Sequence, residues 1–149
     1  MITLKSSHEI EAMRRAGKIT AAARAVAREM VKPGVTTQQI DQAVYRFIKS
    51  QGAIPSFLNY NGYPASVCVS VNDEIIHGIP GKRVLQEGDI VSVDVGAFIG
   101  GFPGDWAGTH PRRPGSHEAL RPLPPTPPSF FWGIKYAREG HRPVSTTCP

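Results

Sequence analysis

Apolar residues recur along this chain in two rhythms, helical in the first third and strand-like after it. Ile10, Met13, Ile19, Val26 and Met30 are spaced for one face of a helix, and Ser6 with Glu9 makes a capping box at its start. Lys32-Pro33-Gly34 ends that helix. Thr36 and Gln39 repeat the box, and Ile40, Val44, Phe47 and Ile48 form a second stripe that stops at Gly52. The period then falls to two. Ser66 to Val71 alternates small or polar residues with apolar ones. Glu74 to His77 is a short apolar run before Gly78-Ile79-Pro80. Asp89 to Phe98 sets Val91, Val93 and Val95 on one face and Ile90, Ser92 and Asp94 on the other. Two helices followed by antiparallel strands predict an α+β fold.

This order stops near Pro111. Ten of the 14 prolines fall at or after Pro103, and those from Pro114 to Pro128 exclude both helix and central strand. A proline-rich linker is one sense of such a segment. From Ser129 to Arg142 the pattern turns helical again, with Phe130, Ile134 and Ala137 in step. The expected organisation is therefore a folded unit over 1–111, an irregular proline-rich segment over 112–128 and a short helix-like tail over 129–149. No internal repeat is visible.

Charge and cysteine content narrow the classes. The net charge is +5, with six Lys/Arg against three Asp/Glu from Pro103 onward. No nucleic-acid-binding motif accompanies that excess, so it reads as a solvated or disordered basic tail and no specific nucleic-acid partner is expected. No apolar run nears the roughly 18 residues of a membrane span, and Met1 to Ser7 has no signal-peptide core. Cys68 and Cys148 form no CxxC pair, which fits a reducing compartment. A cytoplasmic chain without membrane contact is expected.

The stretch from Asp94 to Asp105 holds the clearest chemistry. Gly100-Gly101 is a good two-residue hairpin loop. With that loop Asp105 faces Gly96, on the side of Asp94, so the carboxylates become diagonal neighbours about 7 Å apart at Cβ. Like charges so placed repel unless a proton or cation intervenes, and a pair of divalent metals about 3.5–4 Å apart is a known solution. A solvent-facing aspartate pair is the plainer alternative. Taken singly, His77 reads as a structural histidine, Cys68 as buried filler, and Tyr60 and Tyr63 as loop aromatics.

Together these residues resemble a known family. Asn59-Tyr60-Asn61-Gly62-Tyr63-Pro64, Ser66 to Asn72, Ile76-His77-Gly78-Ile79-Pro80, Gly88 to Asp94 and Gly104-Asp105 match methionine aminopeptidase in order and spacing, as does Ile10 to Gly17. The resemblance covers roughly residues 2 to 111 and points to the short bacterial type. It implies the pita-bread fold, here its N-terminal half, in which two αβ halves close over two divalent metals (Co, Mn, Fe or Zn). It implies Asp94 and Asp105 as metal ligands and His77 as the histidine that contacts substrate and assists the transition state. Tyr60, Tyr63 and Cys68 match the pocket for the methionine side chain. The implied activity is removal of the initiator methionine from nascent polypeptides, at the ribosome.

The chain also departs from that pattern. The family's remaining ligands, a histidine and two glutamates, come from its second half. The later candidates here, His110, His117, Glu118, Glu139 and His141, lie in proline-broken sequence and are not expected to replace them. Trp106 and His110 stand where the resemblance calls for smaller or apolar residues. Ser129 to Arg142 resembles the family again after a stretch of family-like length but foreign composition, as a compensated frameshift produces. The expected metal site is therefore incomplete, and the chain inactive alone. Two alternatives differ in class: a catalytically dead half-domain that binds peptide or a partner, and another pita-bread peptidase, such as one cleaving before proline.

Overall fold

The computed structural model describes residues 3–111 and Ile134. The chain divides into two units, Met1–Arg113 and Pro114–Pro149, and the first carries all the architecture given below. Apart from Ile134, the expected proline-rich segment, the helix-like tail and the residues His117, Glu118, Glu139 and His141 lie outside the described residues.

Two helices lead the chain, α1 (Ser7–Met30) and α2 (Thr37–Ser50). Both predicted capping boxes form: Ser6 Oγ accepts from the Glu9 amide and Glu9 accepts from the Ser6 amide, and Thr36 and Gln39 do the same. The next two orphan amides of α2 are also met. Thr37 N–H donates to the Arg83 carbonyl and Gln38 N–H to the Gly81 carbonyl, so the segment before Leu85 straps across the helix start. Ile40, Val44 and Ile48 are buried as expected, and Gly52 follows with φ +69°.

The buried face of α1 corrects the sequence expectation. Ala16, Thr20, Ala23 and Ala27 face inward, whereas Ile10 and Met13 are exposed and Ile19, Val26 and Met30 only partly covered. The cause is distance. A Cβ placed on Gly104 would lie 2.7 Å from the Ala16 carbonyl and 2.6 Å from Thr20 Oγ1. A helix packed so close to a strand has room only for small side chains.

Four strands follow: β1 (Ile54–Pro55), β2 (Val67–Val71), β3 (Ile90–Ile99) and β4 (Phe102–Pro111). β3 is central and every pairing is antiparallel. β4 lies on one edge of β3, while β1 and β2 follow one another along the other. Gly100 and Gly101 form the two-residue turn, with Ile99 opposite Phe102 and φ of +62° and +85°, the signs a type I′ hairpin requires. The sheet's inner face is Val67, Val69 and Val71 with Val91, Val93, Val95 and Ala97, packed in one core with Ala23, Ala27, Ile40, Val44 and Ile48.

Trp106 shares the helix-facing side of β4, opposite in direction to Asp105. Its indole covers Gly108, where a Cβ would lie 1.8 Å from the ring, and the Arg24 guanidinium of α1 stacks on it 4.1 Å from the centroid. A bulky residue where the resemblance called for a smaller one is thus accommodated by a glycine two positions on.

Glu74 to His77 is not a strand. After Val71 the chain turns at Asn72-Asp73. Glu74 accepts from the Val71 amide and pairs with Arg83 at 3.5 Å, and the run continues as an exposed loop with Ile75 88% and Ile76 68% accessible. The carboxylate bond closes this turn, and the chain leaves the sheet after Asn72, whose amide still donates to the Ile90 carbonyl.

Candidate functional site

The sheet's other face is polar. Register puts Cys68 opposite Asp94, Ser70 opposite Ser92, Ser92 opposite Thr109, Asp94 opposite Ala107 and Gly96 opposite Asp105. Directly opposed residues of an antiparallel pair share a face. Cys68, Ser70, Ser92, Asp94, Asp105 and Thr109 therefore line one surface, with the valine core behind it. Ser92 and Thr109 close their own hydrogen bond at 2.7 Å. The predicted hairpin parity holds, so Asp94 and Asp105 are on one face.

Asp94 is half-buried, and its carboxyl is pushed up to about 6. Burial is the largest cause and the Asp105 charge the next, partly offset by His77. Two carboxylates crowded in this way meet the first requirement of a divalent-cation site, which replaces their repulsion with attraction. Among the described residues no group of three or more His, Cys, Asp or Glu side chains could hold a metal ion, so a cation here would rest on Asp94 and Asp105.

The remaining sequence-predicted residues gather around this pair to different degrees. Cys68 is buried, which raises its thiol pKa, and the Asp94 and Asp105 charges add to the rise. Tyr63 is partly buried and has its phenol pKa raised chiefly by burial, with Cys68 beside it adding to the rise. Its single hydroxyl proton is shared between the carbonyls of Val67 at 3.0 Å and Gly78 at 3.1 Å. His77 is exposed and near enough for its charge to be felt at Asp94. Its φ is +58°, uncommon for a residue with a Cβ. Tyr60 begins a single 3-10 turn (Tyr60–Gly62), and its side chain is 69% exposed. Asn59 and Asn61 flank it at positive φ, a conformation asparagine tolerates.

Three further residues shape the site without a sequence signal strong enough to single them out. Ser56 and Phe57 close over Gly96. A Cβ there would meet Phe57 Cε1 and Ser56 Cβ at 2.9 Å, and the Ser56 hydroxyl is buried with no hydrogen-bond partner among the described residues. A glycine between two aspartates on a polar face was the only hint that something packs there. Asp41 of α2 accepts from the amides of Ser66 at 2.7 Å and Val67 at 3.2 Å. It anchors the start of β2, although burial raises its pKa.

Comparison with known proteins gives this geometry a context. The model of metallopeptidase family M24 matches residues 11–120. Methionine aminopeptidase 1 of Bacillus subtilis is 46% identical over 142 residues, and methionine aminopeptidase of Clostridium acetobutylicum is 49% identical over 143. Each match takes in 95% of this chain and 57% of the relative, so the chain spans little more than half the length of these curated relatives. Among solved structures, methionine aminopeptidase of Thermotoga maritima superposes with a TM-score of 0.86 at 38% identity, covering 93% of this chain and 56% of that one. Escherichia coli aminopeptidase P superposes at 0.72 with 26% identity, covering 90% and 30%. The α+β arrangement is thus that of the pita-bread fold, of which the chain spans a little over half. With the family model matched from α1 through the carboxylate hairpin, the chain belongs to metallopeptidase family M24.

Proposed function

We propose that residues 1–111 form the N-terminal half of a methionine aminopeptidase site, acting on the initiator methionine of nascent polypeptides in the cytoplasm, at the ribosome. The observation that carries this is the β3–β4 register, which sets Asp94 and Asp105 on one polar face beside Cys68. The 46–49% identity to methionine aminopeptidases, against 26% for aminopeptidase P, favours the methionine type over a proline-specific peptidase. Asp94 and Asp105 would hold divalent metal. Bound metal would lower the pKa of a water and polarise the scissile carbonyl. The imidazole of His77 would donate a hydrogen bond to charge developing on the substrate oxygen. Tyr60, Tyr63 and Cys68 would take the methionine side chain, for which an apolar, sulfur-tolerant surface is suited.

The test is a chimera in which residues 1–111 replace the matching part of the Bacillus subtilis enzyme, assayed on Met-Ala-Ser with added Mn²⁺ or Co²⁺. Release of methionine, abolished by Asp94→Ala, is expected. A folded chimera that spares Met-Ala-Ser but cleaves a Gly-Pro peptide would overturn the assignment.

A second reading, a half-domain inactive by itself, is favoured by the two-carboxylate limit among the described residues. Losing one outer partner of a metal ligand costs roughly 10–100-fold, and a missing ligand costs more. The 149-residue chain alone is accordingly expected to leave Met-Ala-Ser intact with any of these metals. Hydrolysis by that chain, lost on Asp94→Ala, would contradict this second reading.

A further inference from the structure

We infer that Tyr63 is a positioning residue for His77, acting through Gly78. The inference rests on the proposal that His77 meets substrate, but it assigns Tyr63 a task other than lining a pocket. The loop from Asn72 returns to the sheet at Gly78, on the edge of β2 that β3 leaves open. Three bonds hold it there. Val69 N–H donates to the Gly78 carbonyl at 2.9 Å, Gly78 N–H donates to Ser70 Oγ at 3.1 Å, and the Tyr63 hydroxyl donates to the Gly78 carbonyl at 3.1 Å. The same hydroxyl reaches the Val67 carbonyl at 3.0 Å, so one side chain staples the loop to the strand.

The approach is too close for any other residue. A Cβ on Gly78 would lie 2.3 Å from the Val69 carbonyl oxygen. His77 precedes this clamp in the left-handed region at φ +58°, which persists only where the surroundings over-determine it. On its other side the chain is loosely covered, with Ile75 and Ile76 both exposed. The restraint on His77 therefore comes from Gly78, and the hydroxyls of Tyr63 and Ser70 are the parts of it that can be removed without touching the backbone.

Tyr63→Phe keeps the ring and deletes the staple. The readout is NMR of the 149-residue chain: the intraresidue HN–Hα cross-peak of His77, strong at positive φ, and amide exchange at Val69 and Gly78. We expect the cross-peak to weaken and exchange at both amides to quicken by about fivefold to tenfold, the worth of one hydrogen bond. Ser70→Ala, which removes the other side-chain anchor, is expected to act in the same direction, and Tyr45→Phe on the α2 surface to change neither. An unchanged His77 cross-peak in Tyr63→Phe and Ser70→Ala, with both variants folded, would overturn the inference. A separate titration with Met-Ala-Ser tests the underlying reading. A His77 ring signal that ignores the peptide would count against His77 as a substrate contact, while the cross-peak would still decide whether Tyr63 positions it.

Discussion

Asp105 stands directly opposite Gly96 in the β3–β4 ladder, which puts its side chain on the sheet face of Asp94, two residues earlier on β3. The arrangement is costly without a cation. Asp94 ordinarily titrates near 3.8 and is raised to about 6 by burial and by Asp105, so the folded chain holds this proton more tightly than the unfolded chain. Its contribution to stability is present below about pH 4 and is lost as pH rises through about 6. Asp94→Asn removes the repulsion, so in metal-free buffer the variant is expected to be more stable than the parent at pH 7. Urea midpoints at pH 4 and pH 7 check this, because the difference between parent and variant must grow with pH. A difference independent of pH would contradict it.

The Asp41 carboxylate serves the fold. It accepts two backbone amides where β2 begins, and Asp41→Ala would strand both in partly buried surroundings. The expected loss is about 1–3 kcal/mol, read as a lower urea midpoint. Asp41→Asn, which keeps an acceptor oxygen, is expected to lose less. Equal losses would show that the hydrogen bonds are not what matters.

Helix α1 is seated on Gly104. Because an added methyl would press on the Ala16 carbonyl and Thr20 Oγ1, Gly104→Ala is expected to push the helix outward and cost about 1–3 kcal/mol. Adding Thr20→Ser, which deletes a methyl but keeps the offending oxygen, should recover little. Substantial recovery would relocate the strain to that methyl.

Local chemistry explains which parts of this fold the sequence reveals. Capping at Ser6 and Thr36, the stripe of α2, the valine face of β3 and the Gly100-Gly101 turn depend on neighbours within a few residues, and all appear as expected. Hairpin parity needs nothing more than the turn, so Asp94 and Asp105 were legible as a pair. The inner face of α1 was not. It is chosen by the approach of Gly104, nearly ninety positions from Ala16, and contact at that distance selects alanine over the larger Ile10 and Met13. Ile75 and Ile76 misled for a similar reason. Their apolarity suggested a strand, but Glu74 bonds back to Val71 and the clamp at Gly78 makes them a loop. Ser56 over Gly96 and Asp41 beneath β2 are long-range contacts with no periodicity to announce them.

The divalent-cation site proposed at the hairpin carboxylates is tested most directly by substoichiometric Mn²⁺. In an NMR spectrum of the 149-residue chain, paramagnetic broadening should concentrate on amides around Asp94, Asp105 and Cys68, and vanish with either Asp94→Ala or Asp105→Ala. Broadening centred on the acidic residues of α1, or unchanged in those variants, would contradict it.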